Sequence, residues 1–180
     1  MKTIPTSIPN LVLIQPSVFE DSRGHFFESY NKELFTTCGI TIEFLQDNQS
    51  LSQKGVLRGL HFQNPPYAQA KLVRVITGAV LDVAVDIRRN SPTYGKHVAE
   101  ILSSKNKAML YIPEGFAHGF LVLEDNTIFS YKCSNTYNKK SEEGILWSDT
   151  DLNINWGISN PSLSEKDKNA RRFKEFESKF

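Results

Sequence analysis

The sequence predicts an all-β domain of antiparallel strands, a sandwich or a barrel, with a few short helices at its periphery. Three observations lead there. Short runs rich in Val, Ile, Leu, Phe and Tyr follow one another from residue 41 to residue 134, each of strand rather than helix length. Turn residues separate them, among them Gly78, Asn90-Ser91-Pro92 and Glu124-Asp125-Asn126, as in sandwiches and barrels. One run, AVLDVAVDI, alternates with a period of two: Leu81, Val83, Val85 and Ile87 face one way, Asp82, Ala84 and Asp86 the other. On this pattern Asp82 and Asp86 are expected on the solvated face of a half-buried strand. The length of 180 residues suits one domain, 1–180, with a real core.

Taken along the chain, residues 1–20 read as an extended arm in which Pro9 and Pro16 fix edges or turns. Leu11, Leu13 and Gln15 alternate, but the prolines limit pairing within one sheet, so the arm is expected to reach a partner subunit. GHFFESY (24–30) reads as a strand. Asn31 fits a helix N-cap, Lys32–Cys38 a short helix and Gly39 its stop. The strand series then begins with TIEFLQD and GVLRGLHF, continues through AKLVRVIT, AVLDVAVDI, HVAEILSS, AMLYIP and GFLVLE, and ends on TIFSYKCS. The tail, 162–180, opens with SLSEKDKNARRFKEF, charged with spaced Phe residues, and reads as one surface helix.

Composition excludes several function classes. Twenty-one Lys and Arg against twenty Asp and Glu give a net charge of +1. No broad field invites nucleic acid or a membrane surface, so an anion site must be local. Cys38 and Cys133 lie far apart and in no metal-like spacing, which fits a reducing compartment. No run approaches the roughly 20 apolar residues that span a bilayer, and the N-terminus lacks a signal-peptide pattern. A cytoplasmic location is expected.

GVLRGLHFQNPPYAQAKLVRV (55–75) sets Arg58, His61 and Lys71 among apolar residues. A single histidine there would usually be a satisfied core residue. Two strands joined by the turn NPPY, however, would pair and bring His61 and Lys71 onto one face. A buried Lys beside a buried His is costly unless the two are used or paired. A His is the natural general base near neutral pH, and a Lys can hold an oxyanion. Arg58 has the wrong parity to share that face, unless Gly59 makes a bulge.

YIPEGFAHGFLVL (111–123) resembles the second motif of cupins, a jelly-roll superfamily, with His118 after a Pro-x-Gly turn. The first cupin motif carries His-x-His and a Glu as metal ligands. Here His61 is followed by Phe62 and Gln63. His61 and His118 alone are too few for a tight site, so no metal is expected.

In order, DSRGHFFESY, QDNQS, GVLRGLHFQ, KLVRVITGAVLDVAVDIR, SPTYG, YIPEGFAHGFLVL, YKCSNTY and LSEKD resemble the dTDP-4-dehydrorhamnose 3,5-epimerases over nearly the whole chain. The resemblance implies a cupin-type jelly roll that works without metal or cofactor, as a homodimer whose N-terminal arm is shared between subunits. It implies conversion of dTDP-4-dehydro-6-deoxy-D-glucose to dTDP-4-dehydro-L-rhamnose, on the route to dTDP-L-rhamnose and surface polysaccharides. Proteins related by fold invert only one centre or move the ketone, and a nucleotide-sugar-binding cupin without turnover is a further reading.

By resemblance, His61 is the base, Asp167 orients and charges it, Lys71 holds the enolate oxygen and Tyr131 is the acid on the far face. Locally, Asp167 also fits a capping box with Ser164, and Tyr131 an ordinary core tyrosine. The family pattern puts Arg23 on the diphosphate, in its own or the partner subunit's site, and Glu28, Gln46, Asp47 and Asn48 at the nucleotide. Without the pattern, Arg23 and Glu28 read as a surface pair and Gln46–Asn48 as a turn. Arg58, His118, Glu142 and Lys168 fall on binding positions, and Tyr137 is expected to stack on the thymine. Phe62 and Ser148 stand where the family commonly has Tyr and Asn, and neither touches the expected chemistry.

Overall fold

Alternating side chains give each strand two faces, and over residues 79–86 and 116–122 both faces end up buried. The structure is a computed structural model describing residues 1–180. Its strands are β1 (Lys2–Pro5), β2 (Val12–Gln15), β3 (Phe19–Asp21), β4 (Gly24–Phe26), β5 (Gln46–Ser52), β6 (Leu57–Gln63), β7 (Lys71–Thr77), β8 (Ala79–Asp86), β9 (His97–Ser103), β10 (Met109–Ile112), β11 (Phe116–Val122), β12 (Thr127–Cys133) and β13 (Glu142–Gly144). The helices are α1 (Lys32–Thr37) and α2 (Glu165–Lys168). One antiparallel sheet runs β1-β2-β10-β7-β12-β5 and a second β13-β6-β11-β8-β9, while β3 and β4 form a separate hairpin. This is the expected all-β jelly-roll architecture. No helix is long and apolar enough to cross a membrane.

Three apolar layers follow. Val73, Val75, Leu110 and Phe129 of the first sheet meet Val80, Ala84, Phe116 and Phe120 of the second in the central core. Outside the first sheet, Phe35 of α1 and Ile40 cover Ile14, Leu72 and Met109. Outside the second, Leu152, Trp156 and Phe176 cover Leu57, Val83, Val85 and Ile87. Each buried side chain of this size contributes roughly 1.5–3 kcal/mol.

The second covering layer overturns one expectation. AVLDVAVDI does alternate, but the face bearing Asp82 and Asp86 points into the molecule, and both residues are fully buried. Burial is tolerated because each carboxylate is paired. Asp86 accepts from Arg88 Nε at 2.8 Å and Nη2 at 2.7 Å, and from the hydroxyls of Ser91 and Thr93, both at 2.6 Å. Burial alone would raise its pKa, but these donors win and lower it to about 2.

The other departures concern the ends of elements. The strand expected over TIEFLQD starts only at Gln46, and that over GHFFESY ends at Phe26. Helix α1 forms as expected: Asn31 Oδ1 accepts from Leu34 N at 3.2 Å, and Gly39 stops the chain at φ +82°. The arm is not free. β2 pairs with β10 of the same chain, and Ile8 and Leu11 enter the central core. Pro9 and Pro16 fall outside the strands, so neither removes a ladder donor. The β3–β4 hairpin is exposed throughout, with Phe19 and Phe26 each 66% exposed.

The tail is not one helix. It forms the single turn α2, ending at the Asn169 C-cap, then a 3-10 turn over Phe173–Glu175. One helix would leave part of its Phe set in water. The extended path lays Phe176 against Phe62 at 5.1 Å between ring centroids and ties Phe180 O to Arg89 N at 3.0 Å.

Candidate active site

A cavity of about 410 Å³ opens beside the central core, lined by Arg58, His61, Lys71, His118, Tyr131 and Asp167 among others. The strands bring these residues together by a route other than the expected hairpin. β6 and β7 do not pair. β6 already holds β11 on one edge and β13 on the other, and β7 holds β10 and β12. Residues 64–70 therefore carry the chain from one sheet to the other. His61 and Lys71 face the same cavity from opposite sheets.

The Gly59 bulge does form. In the β6–β11 ladder, His61 faces His118 and Arg58 faces Phe120, so three steps on one strand match two on the other. Gly59 sits at φ +127°, and a Cβ there would lie 2.4 Å from Gly119 Cα. Only glycine fits, and the slip brings Arg58 to the His61 side. Its guanidinium rests on Ser52 Oγ, at 3.3 Å from Nε and 3.1 Å from Nη2.

Asp167 meets both readings of its position. Its backbone N–H donates to Ser164 Oγ at 3.2 Å, capping α2, while its side chain bonds His61 Nε2 at 2.5 Å. Burial alone would raise the Asp167 carboxyl, but the His61 contact and the Ser164 hydroxyl outweigh it and hold the pKa below the usual range. With Nε2–H donated to Asp167, Nδ1 is the free lone pair of the His61 ring.

Lys71 and Tyr131 are free of such ties. Burial pulls the Lys71 ammonium below the usual lysine range, and the charges around it act without a hydrogen bond. Tyr131 is raised by burial, so its hydroxyl keeps its proton. His118 is different. Its Nε2 lies 3.1 and 2.9 Å from the two Asp82 oxygens, and burial lowers its pKa despite that carboxylate. No cluster of three or more His, Cys, Asp or Glu gathers in metal-binding geometry.

A second depression of about 190 Å³ shares Lys71 and Tyr131 with the first and adds Gln46, Asn48, Tyr137 and Glu142. Gln46 and Asn48 are on β5 rather than in a turn. Gln46 Oε1 accepts from Tyr137 N at 2.9 Å, and Tyr137 donates its hydroxyl to Glu142 Oε2 at 2.9 Å. Glu142 also pairs with Lys166 at 2.5 Å. Burial would raise Glu142, but Lys166 and Tyr137 hold it low. Lys166 lies outside the expected set of residues. The signal was its place in LSEKD: in a single turn that aims Asp167 inward, the preceding residue reaches the rim.

Four expected residues are not gathered here. Lys168 pairs with Glu165 at 2.6 Å, and Asp47 pairs with Lys132 at 2.9 Å. Arg23 pairs with Asp21 at 2.7 Å on the exposed hairpin, and Glu28 accepts from Asn31 Nδ2 at 2.8 Å. None of the four lines this cavity or the depression beside it.

The family model for dTDP-4-dehydrorhamnose 3,5-epimerase matches residues 5–175. The curated dTDP-4-dehydrorhamnose 3,5-epimerase of Shigella flexneri is 56% identical over 174 residues, 96% of each chain. The crystal structure of the enzyme of that name from Elizabethkingia anophelis NUHP1 superposes with a TM-score of 0.93 at 50% identity, covering 97% of each chain. A dTDP-6-deoxy-D-glucose-3,5-epimerase from Legionella pneumophila Philadelphia 1, solved in complex with dTDP-4-keto-L-rhamnose, gives a TM-score of 0.93 at 47% identity over 96% of this chain and 93% of its own. With the family model spanning the strands, the cavity and α2 alike, the chain belongs to the dTDP-4-dehydrorhamnose 3,5-epimerase family.

Proposed function

We propose that the chain converts dTDP-4-dehydro-6-deoxy-D-glucose to dTDP-4-dehydro-L-rhamnose by inverting C-3 and C-5. The observation that carries this is one cavity holding a His–carboxylate pair, an unpaired ammonium and an unpaired phenol. The C-4 ketone acidifies the hydrogens on both neighbouring carbons. His61 Nδ1 takes one of these protons. The C–H electron pair becomes the enolate double bond, and the carbonyl pair moves onto the C-4 oxygen. Asp167 fixes the ring and offsets the imidazolium charge; such acid–base help is worth about 10²–10⁴ in rate. The Lys71 ammonium stabilises the enolate oxygen, an effect of about 3–4 kcal/mol for comparable donors. Tyr131 gives a proton to the opposite face, the carbon is inverted, and solvent restores both groups. Lys71 serves both steps, because each enolate puts its charge on the same oxygen.

Gln46, Asn48, Tyr137 and Glu142 form the nucleotide end, with Tyr137 available to stack on the base and Arg58 to fork onto a phosphate. Lys166 joins them through Glu142. Arg23 and Glu28 are assigned to the site of a second copy: the protein acts as a homodimer, and the β3–β4 hairpin reaches the partner's cavity. No metal or cofactor enters the reaction, and the compartment is the cytoplasm.

The test is NMR analysis of the product formed from the dTDP-4-keto sugar. Inversion at both carbons is expected. Inversion at one carbon would make it a single-site epimerase, a moved carbonyl a ketoisomerase, and an unchanged sugar a binding protein.

A further inference from the structure

Asp82 has no part in the steps above, yet it is a fully buried carboxylate one strand away from the cavity wall. Both its oxygens meet one nitrogen of His118, a cavity residue, at 3.1 and 2.9 Å. In the β8–β11 ladder Asp82 faces Phe120, two residues from His118 on the neighbouring strand. A carboxylate in such a place is costly unless it does something that a neutral group cannot.

We propose that Asp82 is a positioning residue for the epimerisation: it fixes the His118 ring as the Nε2–H tautomer and places a fixed negative charge behind that ring, on the cavity wall opposite Lys71. The inference rests on the epimerase reading for the use of Lys71, but not for the charge coupling itself. Lys71 is surrounded by nine titratable groups: Cys133 and Tyr131 on β12, Asp82 on β8, Glu142 on β13, Lys166 and Asp167 on α2, His118 on β11, and Arg58 and His61 on β6. Three of these are carboxylates, and Asp167 is committed to His61. Glu142 sits at the rim and is committed to Lys166 and Tyr137. Cys133 is pushed up by burial and stays a neutral thiol. Asp82 is the buried carboxylate whose partner, His118, is held neutral by burial and so relays its position without cancelling its charge. An ammonium next to a forming enolate must stay protonated before the enolate exists, so the fixed charge behind His118 prepares Lys71 for the step.

Asp82→Asn separates the charge from the hydrogen bond, since the amide oxygen still accepts from His118. His118 is neutral, so no buried charge is stranded and the variant should fold. Trace acetylation with acetic anhydride, followed by peptide mass spectrometry, reads the neutral fraction of each lysine. At pH 8 Lys71 should label about ten-fold faster in Asp82→Asn, the consequence of a shift of about one pKa unit, with Lys54 unchanged as the internal reference. The alkaline limb of the kcat–pH profile should move to lower pH, with KM little changed. Asp82→Glu keeps the charge and should label like the wild type. Equal Lys71 labelling in Asp82→Asn and wild type would overturn the proposal, even if activity fell. In the wild-type protein, nitrogen NMR should find His118 protonated at Nε2 and bare at Nδ1 between pH 6 and 9; the opposite tautomer would overturn it independently of any variant.

Discussion

Two histidine–aspartate pairs sit within one cavity wall, and they differ in what surrounds them. His61 and Asp167 meet across the body and the tail, at 2.5 Å, with the imidazole 29% accessible and the carboxylate 3%. His118 and Asp82 meet between adjacent strands, with 7% and 0%. The chemistry of the pair is the same. The accessible imidazole has a free nitrogen open to the cavity and can hand a proton to solvent. The enclosed one is kept neutral by burial, so it cannot serve as a base that ends a step charged. Position relative to water, rather than the residue pair, favours His61 as the proposed base.

Removing His61 should break the comparison most. His61→Ala should lower kcat by about 10³, within the range of general acid–base help. The fold and dTDP binding should survive, because the half-open ring contributes little packing. Turnover near wild type in the folded variant would remove His61 as the base. Lys71→Met should come next, at about 10²–10³ in kcat for a lost oxyanion donor; an effect confined to KM would make Lys71 a binding residue. Lys166→Ala should raise KM about ten-fold by a lost charge-assisted contact of about 1.4 kcal/mol, while Lys168→Ala should change neither constant. Steady-state kinetics on both lysine variants separates them, and the reverse ranking would refute the assignment of Lys166 to the nucleotide end.

One further effect lies outside the site and falls on stability rather than turnover. The buried Asp86 carboxyl has a pKa near 2 when folded, below its unfolded value of about 3.9. A depressed pKa gives stability that is present above pH 4 and lost as pH falls toward 2. Asp86→Asn should therefore cost about 2 kcal/mol at pH 7, with the gap from wild type closing between pH 4 and 2. Denaturant melts along that pH series provide the check, and a gap independent of pH would contradict it.

Much of this was legible in the sequence. Period-two alternation gave the strands, Asn31 and Gly39 gave α1, and Gly59 gave the bulge that turns Arg58 toward His61. Three things were not legible, each for a physical reason. Strand pairing is non-local, so the turn NPPY suggested a hairpin where β6 and β7 already had other neighbours. Alternation marks two faces without saying whether a third layer covers the second one, so Asp82 and Asp86 were assigned to solvent. The tail has helix-forming residues, but burying Phe176 against Phe62 outweighs local propensity. The catalytic roles came from the resemblance of whole motifs. No spacing rule links His61 to Asp167, whose contact spans 106 residues.

Solvent isotope exchange tests the central claim most directly, because it follows the base and the acid separately. Turnover in deuterium oxide should place deuterium at both C-3 and C-5 with inversion of both. Tyr131→Phe should still exchange these hydrogens without inverting the carbons, since His61 removes and returns a proton on one face. His61→Asn should do neither. Exchange at the wild-type rate in His61→Asn, or full inversion in Tyr131→Phe, would contradict the account.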